Sequence, residues 1–311
     1  MRKGLSYILL SAFVLLTACT FEDEPAVCPY NTRLEYWYAG YALENRLRLR
    51  VDRLREYIFD ESGELVSNRE LKNDSLTGHE ETLMPGRYTV VVWGNLYPNP
   101  TDSVVVQGDT LLSTHNIISF PKHENTKHRA NGSKLYYGSG SFTVGDGGMT
   151  KHKIYVSHAH VDLKITVTWH TDRPNLDGPL RMRLRNVPSL YSFTPGWQIP
   201  VSNGAGPHLF PALGSKRIDH EVTAYEDYAK DVTGEFITRR FNNDTHPLWS
   251  LYCGDRQVVK ELDLWEYFHE SFISMENNIE QEFHLLIIIG DNKIVVMEVS
   301  GTDWEEGGLI G

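Results

Sequence analysis

The chain has 311 residues, long enough for two hydrophobic cores at about 100–200 residues per domain. Hydrophobic content of 41% and aromatic content of 11% exclude a disordered stalk and fit a globular protein. A formal net charge of −11, with Lys and Arg interspersed among the acids, excludes the basic stripe that nucleic-acid phosphates demand.

Met1-Arg2-Lys3, the apolar run Tyr7 to Leu16 and the small residues before Cys19 follow the order of a secretory signal peptide. The run is too short to span a bilayer comfortably. Leu16-Thr17-Ala18-Cys19 resembles a bacterial lipobox, in which the cysteine thiol takes a diacylglyceryl group and becomes the new amino terminus. Several acyl chains together make a stable membrane anchor. Removal of the leader takes Arg2 and Lys3 with it and moves the charge from −11 to −13. Glu22, Asp23 and Glu24 follow at once. They read either as a solvated tether or as a surface-export signal like that of Bacteroidetes-type lipoproteins. Of the three cysteines, Cys28 and Cys253 remain after lipidation. In an oxidising envelope they form a bridge or stay as two buried thiols.

Beyond the tether the pattern is that of successive strands. Val51 to Phe59 is apolar and aromatic, stops at the turn Asp60-Glu61-Ser62-Gly63, and resumes at Leu65-Val66. Pro85-Gly86 suits a type II turn, and Tyr88 to Trp93, β-branched and aromatic throughout, suits mid-sheet. Val104 to Val106 and Tyr136 to Val144 read as further strands. His115 to Ser133 reads as a long polar loop, and its His115, His123 and His128 match no tight metal-ligand spacing.

Ile154 to Trp169 alternates, with Val161, Leu163, Ile165 and Val167 on one face and Asp162, Lys164 and Thr166 on the other. His158 and His160, at i and i+2, could clamp a metal but lack a third ligand, and are expected to be exposed. Leu180 to Val187 sets Arg181, Arg183 and Arg185 on one face, a charged surface that discourages edge pairing. Glu235 to Phe241 is another candidate strand, and Val259 to Phe268 takes a helical period. Phe283 to Ile289 and Lys293 to Val299 flank Gly290-Asp291-Asn292 as a hairpin, expected at the centre of the second core. The expected organisation is a signal peptide over 1–18, a lipidated tether over 19–30, and β-sandwiches over 31–153 and 154–311. The second sandwich carries a short helix.

No phosphate loop, nucleophile elbow, zinc-protease motif or cofactor fingerprint is present. Gly145 to Gly148 lacks the Lys and Ser or Thr of a Walker loop, and Gly138 to Ser141 lacks a strand-to-helix context. The expectation is a non-enzyme without cofactor or metal. A second reading, a glycan-binding surface lipoprotein of a polysaccharide-uptake system, would use Trp37, Trp197 and Trp249 as stacking platforms.

Taken in order, Cys19 in its lipobox, the tether ending at Cys28-Pro29, "YIFDESGEL", "LMPGRYTVVVWGN", "KLYYGSG" and "DWEEGG" resemble the FimB/Mfa2 family of fimbrial anchor lipoproteins. The resemblance implies two transthyretin-like (Ig-like) β-sandwiches in an all-β chain. It also implies an outer-membrane lipid anchor and, as partners, stalk or accessory subunits of a pilus-like fibre whose length the protein limits. Cys19 alone carries over as a functional residue. Fibres of this family resemble strand-exchange polymers, and Lys293 to Gly311 is the candidate donor end.

Overall fold

The computed structural model describes residues 30–39, 44–96, 104–108, 110–119, 131–199, 207–291 and 293–299. The chain opens with β1 (Thr32–Tyr38), a one-turn helix α1 (Leu47–Arg50), β2 (Arg53–Phe59), β3 (Leu65–Lys72) and β4 (Gly78–Glu81). It continues through β5 (Gly86–Gly94), β6 (Val104–Gln107), β7 (Asn116–Ser119), β8 (Tyr136–Val144) and β9 (Thr150–His158). Next come β10 (His160–Trp169), β11 (Leu180–Pro188), β12 (Leu190–Ile199), β13 (His208–Leu213), β14 (Arg217–Thr223) and β15 (Tyr225–Glu226). The last elements are β16 (Val232–Arg239), β17 (Leu248–Cys253), β18 (Arg256–Asp263), α2 (Leu264–Glu270), β19 (Glu282–Ile289) and β20 (Ile294–Glu298).

Seven strands form one sheet in the order β3-β2-β5-β8-β9-β1-β4. β3 and β4 are consecutive in the chain yet stand at opposite edges, so the sheet curls until those edges meet. Leu34, Tyr36 and Tyr38 of β1 thereby share a core with Ile58, Val90 and Val92. The other face of β2, β5 and β8 presents Tyr57, Phe59, Val91, Trp93 and Tyr137 to Tyr191 and Phe193 of β12. Burial on both faces explains the unbroken apolar run from Val90 to Trp93.

β12 belongs to a four-stranded sheet, β13-β12-β7-β6. Strands from the second half of the chain thus cover the first half's aromatic face, and a boundary at 153/154 does not describe this exchange. The change of sheet falls at Ala159, where the expected single strand Ile154 to Trp169 breaks into β9 and β10. The second sandwich packs β15-β16-β10-β19-β20 on β14-β11-β17-β18. Val161, Leu163, Ile165 and Val167 point into its core against Met182, Leu184, Trp249 and Leu251, as the alternation predicts.

Four local expectations change. Gly86 is absent from the positive-φ residues and starts β5, so Pro85-Gly86 is not a type II turn; Gly63, at φ +83, does make the turn after β2. The helix starts later than its period suggests, because β18 runs to Asp263, whose side chain accepts the Trp265 N–H and caps α2. The loop from His115 contains β7, and His115 itself is buried against Phe59 and Phe193. β20 is an edge strand, with Ile294 39% and Met297 44% exposed, rather than the middle of a core.

The curled sheet is stapled by charge inside its core. Glu56 of β2 is fully buried and accepts from the Tyr36 hydroxyl, with His79 Nε2 at 2.7 Å and Arg69 Nε at 3.2 Å. Arg69 also pairs with Glu81. Glu56, His79 and Glu81 hold ligand atoms within 4.8 Å of one another, a spacing that suits a cation. Arg69 supplies that positive charge from the protein itself. Burial pulls the His79 pKa down, but the hydrogen bond and charge of Glu56 together raise it overall. A raised folded pKa gives stability that is present below the unfolded value of about 6.5 and is lost as pH rises through the folded value. Replacing His79 with Gln should flatten that decline in urea-denaturation midpoints measured from pH 6 to pH 9. An unchanged pH profile in the variant would show that His79 does not titrate with folding.

Candidate functional site at the waist between the sandwiches

The two sandwiches meet where β9 passes into β10. The Tyr191 hydroxyl donates to the Ala159 carbonyl at 2.5 Å and accepts the Arg240 N–H at 2.6 Å. Arg240 follows β16, and its side chain is wholly buried. The guanidinium donates to the carbonyls of His158 (3.1 Å), Ile279 (2.9 Å), Met275 (3.4 Å) and Asn278. It lies 4.1 Å over the Phe210 ring of β13. Burial pulls its pKa down to about 9, so it keeps its charge at neutral pH. Each of those carbonyls left unpaired would cost about 1–3 kcal/mol, which is why this cation is worth burying.

Gln281 completes the clamp. Its amide donates to the carbonyls of Phe241 (2.7 Å) and Met275 (2.5 Å) and accepts the Phe241 N–H at 2.8 Å. Trp197 of β12 adds a hydrogen bond to the Glu276 carbonyl at 3.3 Å and stacks on Phe210. The segment between α2 and β19 is therefore held by main-chain contacts from both sandwiches.

A second cluster joins β1 to the same segment. The Tyr38 hydroxyl donates to the Glu280 carboxylate, and His158 Nε2 lies 2.9 Å from the phenol oxygen. Burial first, then the bond to Glu280, raise the Tyr38 pKa far above the phenol range. Burial first, then His160, push His158 down to about 2. Both groups stay neutral around pH 7 and act as a clasp. Arg50, the last residue of α1, adds ion pairs to Glu282 (3.2 Å) and Glu280 (3.8 Å).

β20 starts at the far tip beside Ile289 and runs back toward this waist. The last described backbone bond, Val299 N–H to the His284 carbonyl at 2.7 Å, leaves the chain two residues from Glu282, where β19 begins. The end of the described chain thus heads for the waist.

The expected site residues fare unequally. Cys19, Glu22, Asp23, Glu24, Cys28, His123 and His128 lie outside the described residues, as do residues 300–311 with their "DWEEGG". Cys253 is buried at the far end of the second sandwich, where its strand position pairs with Leu180.

His158 and His160, expected on an exposed face, are both fully buried and stacked at 4.5 Å because the strand breaks between them at the waist. Arg181 and Arg183 pair with Glu221, and Arg185 with Glu261, so that row is a neutralised sheet face. Trp249 is core, Trp197 serves the waist, and Trp37 carries Lys153 Nζ 3.8 Å over its ring. Sequence reasoning missed Arg240, Glu56 and Gln281. A buried arginine inside the strand-like "ITRRF" leaves no periodic trace.

The description "Fimbrillin-A associated anchor proteins Mfa1 and Mfa2" belongs to the family whose profile matches residues 24–196. No curated protein matches in sequence. Among solved structures, the fimbrial anchor protein Mfa2 from Porphyromonas gingivalis superimposes with a TM-score of 0.62 at 14% identity, over 86% of this chain and 95% of that one. A candidate adhesin from Bacteroides thetaiotaomicron gives 0.62 at 16% identity, over 88% and 97%. A candidate polysaccharide-binding protein from the same organism gives 0.62 at 12%, over 87% and 98%. Likeness at such identities carries the fold, while the profile spans more than half of the chain. The chain belongs to the family of fimbrillin-A associated anchor proteins.

Proposed function

We propose that this chain is an outer-membrane lipoprotein that fixes the base of a pilus-like fibre through Cys19 and limits its length. The observation that carries the reading is the state of β1. It is paired over seven residues with β9 on one side and with β4 on the other, and Leu34, Tyr36 and Tyr38 are fully buried. In strand-exchange assembly a subunit accepts a neighbour's strand into a groove left by its own missing strand. With β1 in place this sheet has no such vacancy, so the chain can end a fibre but not pass it on as an acceptor.

The contact toward the fibre falls to the other end of the chain. Among the described residues β20 pairs along one edge only and exposes Ile294 and Met297, and the segment after Val299 is the candidate donor. The role is structural rather than catalytic, and membrane attachment comes from acyl chains on Cys19. Glu22, Asp23 and Glu24 then serve export to the cell surface.

Replacing Cys19 with Ala should release the protein from membranes, and mass spectrometry that found Cys19 unmodified would end the lipoprotein reading. Converting Glu22, Asp23 and Glu24 to Ala should leave lipidation intact and reduce labelling of the protein on intact cells; unchanged labelling would leave the triplet as a tether alone. Deleting Ser300 to Gly311 should yield a folded, surface-exposed protein whose fibres grow long or detach. Fibres that stay attached at normal length would place the contact elsewhere and refute the donor end.

A further inference from the structure

The segment clamped at the waist displays one residue that the fold itself does not need. α2 ends in two backbone bonds, Phe272 N–H to His269 at 3.1 Å and Ile273 N–H to Phe268 at 2.9 Å. That is the Schellman ending, which places the residue after the cap in the left-handed region and strongly favours glycine there. Here the residue is Phe272, at φ +57 and 96% exposed. A bulky side chain in this backbone region is strained, and a solvated phenyl ring gains nothing by burial. Neither stability nor helix termination accounts for it.

Beside Phe272 lies an open groove of about 440 Å³ with Trp265, Phe268, Ile273 and Met275 in its wall. The neighbouring chain is acidic. From Glu261 to Glu282 it carries seven carboxylates and no Lys or Arg. Glu261, Asp263, Glu280 and Glu282 have basic partners in Arg185, His246 and Arg50. Glu266, Glu270 and Glu276 form no ion pair among the described residues. Arg240 and Gln281 hold the segment through its carbonyls, so the ring is presented on a rigid support, and little ordering remains to be lost on binding.

We propose that Phe272 is a docking knob for the fibre subunit, inserting into an apolar socket rimmed by Lys and Arg on that partner. The inference rests on the anchor reading above and deepens it. A protein partner is favoured over an anionic lipid surface or nucleic acid, both of which a stretch carrying Glu266, Glu270 and Glu276 repels. Position supports the same occupant: the chain leaves β20 bonded to His284, three residues from Gln281 at the end of the clamped segment. A subunit that takes up the carboxyl-terminal segment would therefore approach the clamped segment that carries Phe272. The aromatic knob gives central anchoring energy, and the neighbouring carboxylates give orientation and rate.

The test uses the full-length protein in its own cell, with a benzophenone amino acid placed at position 272 or, as a control, at the exposed Tyr228. Light should cross-link position 272, and not 228, to a fimbrial subunit identified by mass spectrometry. Replacing Phe272 with Gly should leave the purified protein's denaturation midpoint unchanged or raised, because the left-handed strain is relieved, yet increase fibre shedding at least about tenfold, as expected for an interface hot spot. Reversing Glu266, Glu270 and Glu276 to Lys should also cause shedding in a protein that stays folded. If Phe272→Gly cells keep their fibres while deletion of the whole gene releases them, the anchor reading stands and the docking knob is refuted. If whole-gene deletion leaves fibres attached at normal length, the anchor reading itself fails and the knob with it. Cross-linking at 272 to glycan alone would likewise overturn the proposal.

Discussion

A single buried cation holds the two halves of this molecule in one shape. Arg240 has no carboxylate among the partners described for it; it spends its donors on carbonyls from β9 and from the segment after α2, and rests on the ring of Phe210. A carboxylate partner would have joined two side chains. Carbonyl partners instead join two backbones, which fixes the path of the chain more tightly. Tyr191 extends the same node to Ala159, the residue at which the chain changes sandwich. The waist is thus a polar joint inside an apolar surround, and its position decides where the segment around Phe272 is shown to solvent.

The exchange of β12 and β13 follows from the needs of the curled sheet. Once β1 and β4 close over one face of β2, β5 and β8, the opposite face still carries Trp93, Tyr137 and Phe59. Rings of this size bury on the order of 150–250 Å² each, too much apolar surface to leave wet. Strands from later in the chain take that place, and the Tyr137 hydroxyl bonds to the Phe193 carbonyl at 2.8 Å. The halves are therefore interlocked by strands as well as bolted at the waist.

What sequence reading captures here is whatever repeats with a strand's period of two. The strands around Tyr88 to Trp93, Tyr136 to Val144, Val161 to Val167 and Leu180 to Val187 fall where alternation and β-branching place them. Asp60 to Gly63 turns as its residues require. The misreadings share a cause, because each depends on a partner distant in the chain. His115 looks polar until Phe59 and Phe193 enclose it, and Ile294 to Glu298 looks like core until the sheet order leaves it at an edge. β1 buries Leu34, Tyr36 and Tyr38 at a period of two, but Trp37 interrupts the polar face and the pattern follows directly on the tether. Two signals of the waist were nonetheless present in the sequence: a stretch rich in Asp and Glu without Lys or Arg, and a phenylalanine where a helix wants glycine.

The placement of β1 has a mechanical meaning. Its first residue, Thr32, lies at the end of the first sandwich away from the waist, and its last, Tyr38, is clasped at the waist by Glu280 and His158. A fibre pulled from the waist against a tether ahead of Thr32 would load β1 along its own axis. The seven pairings with β9 and the four with β4 then bear the force side by side, rather than opening one after another from an end. Detachment under load is governed by the rate of such an unfolding event and not by equilibrium stability. In this arrangement β1 is a shear clamp, and the charged staple of Tyr36, Glu56 and Arg69 holds it to the sheet beneath.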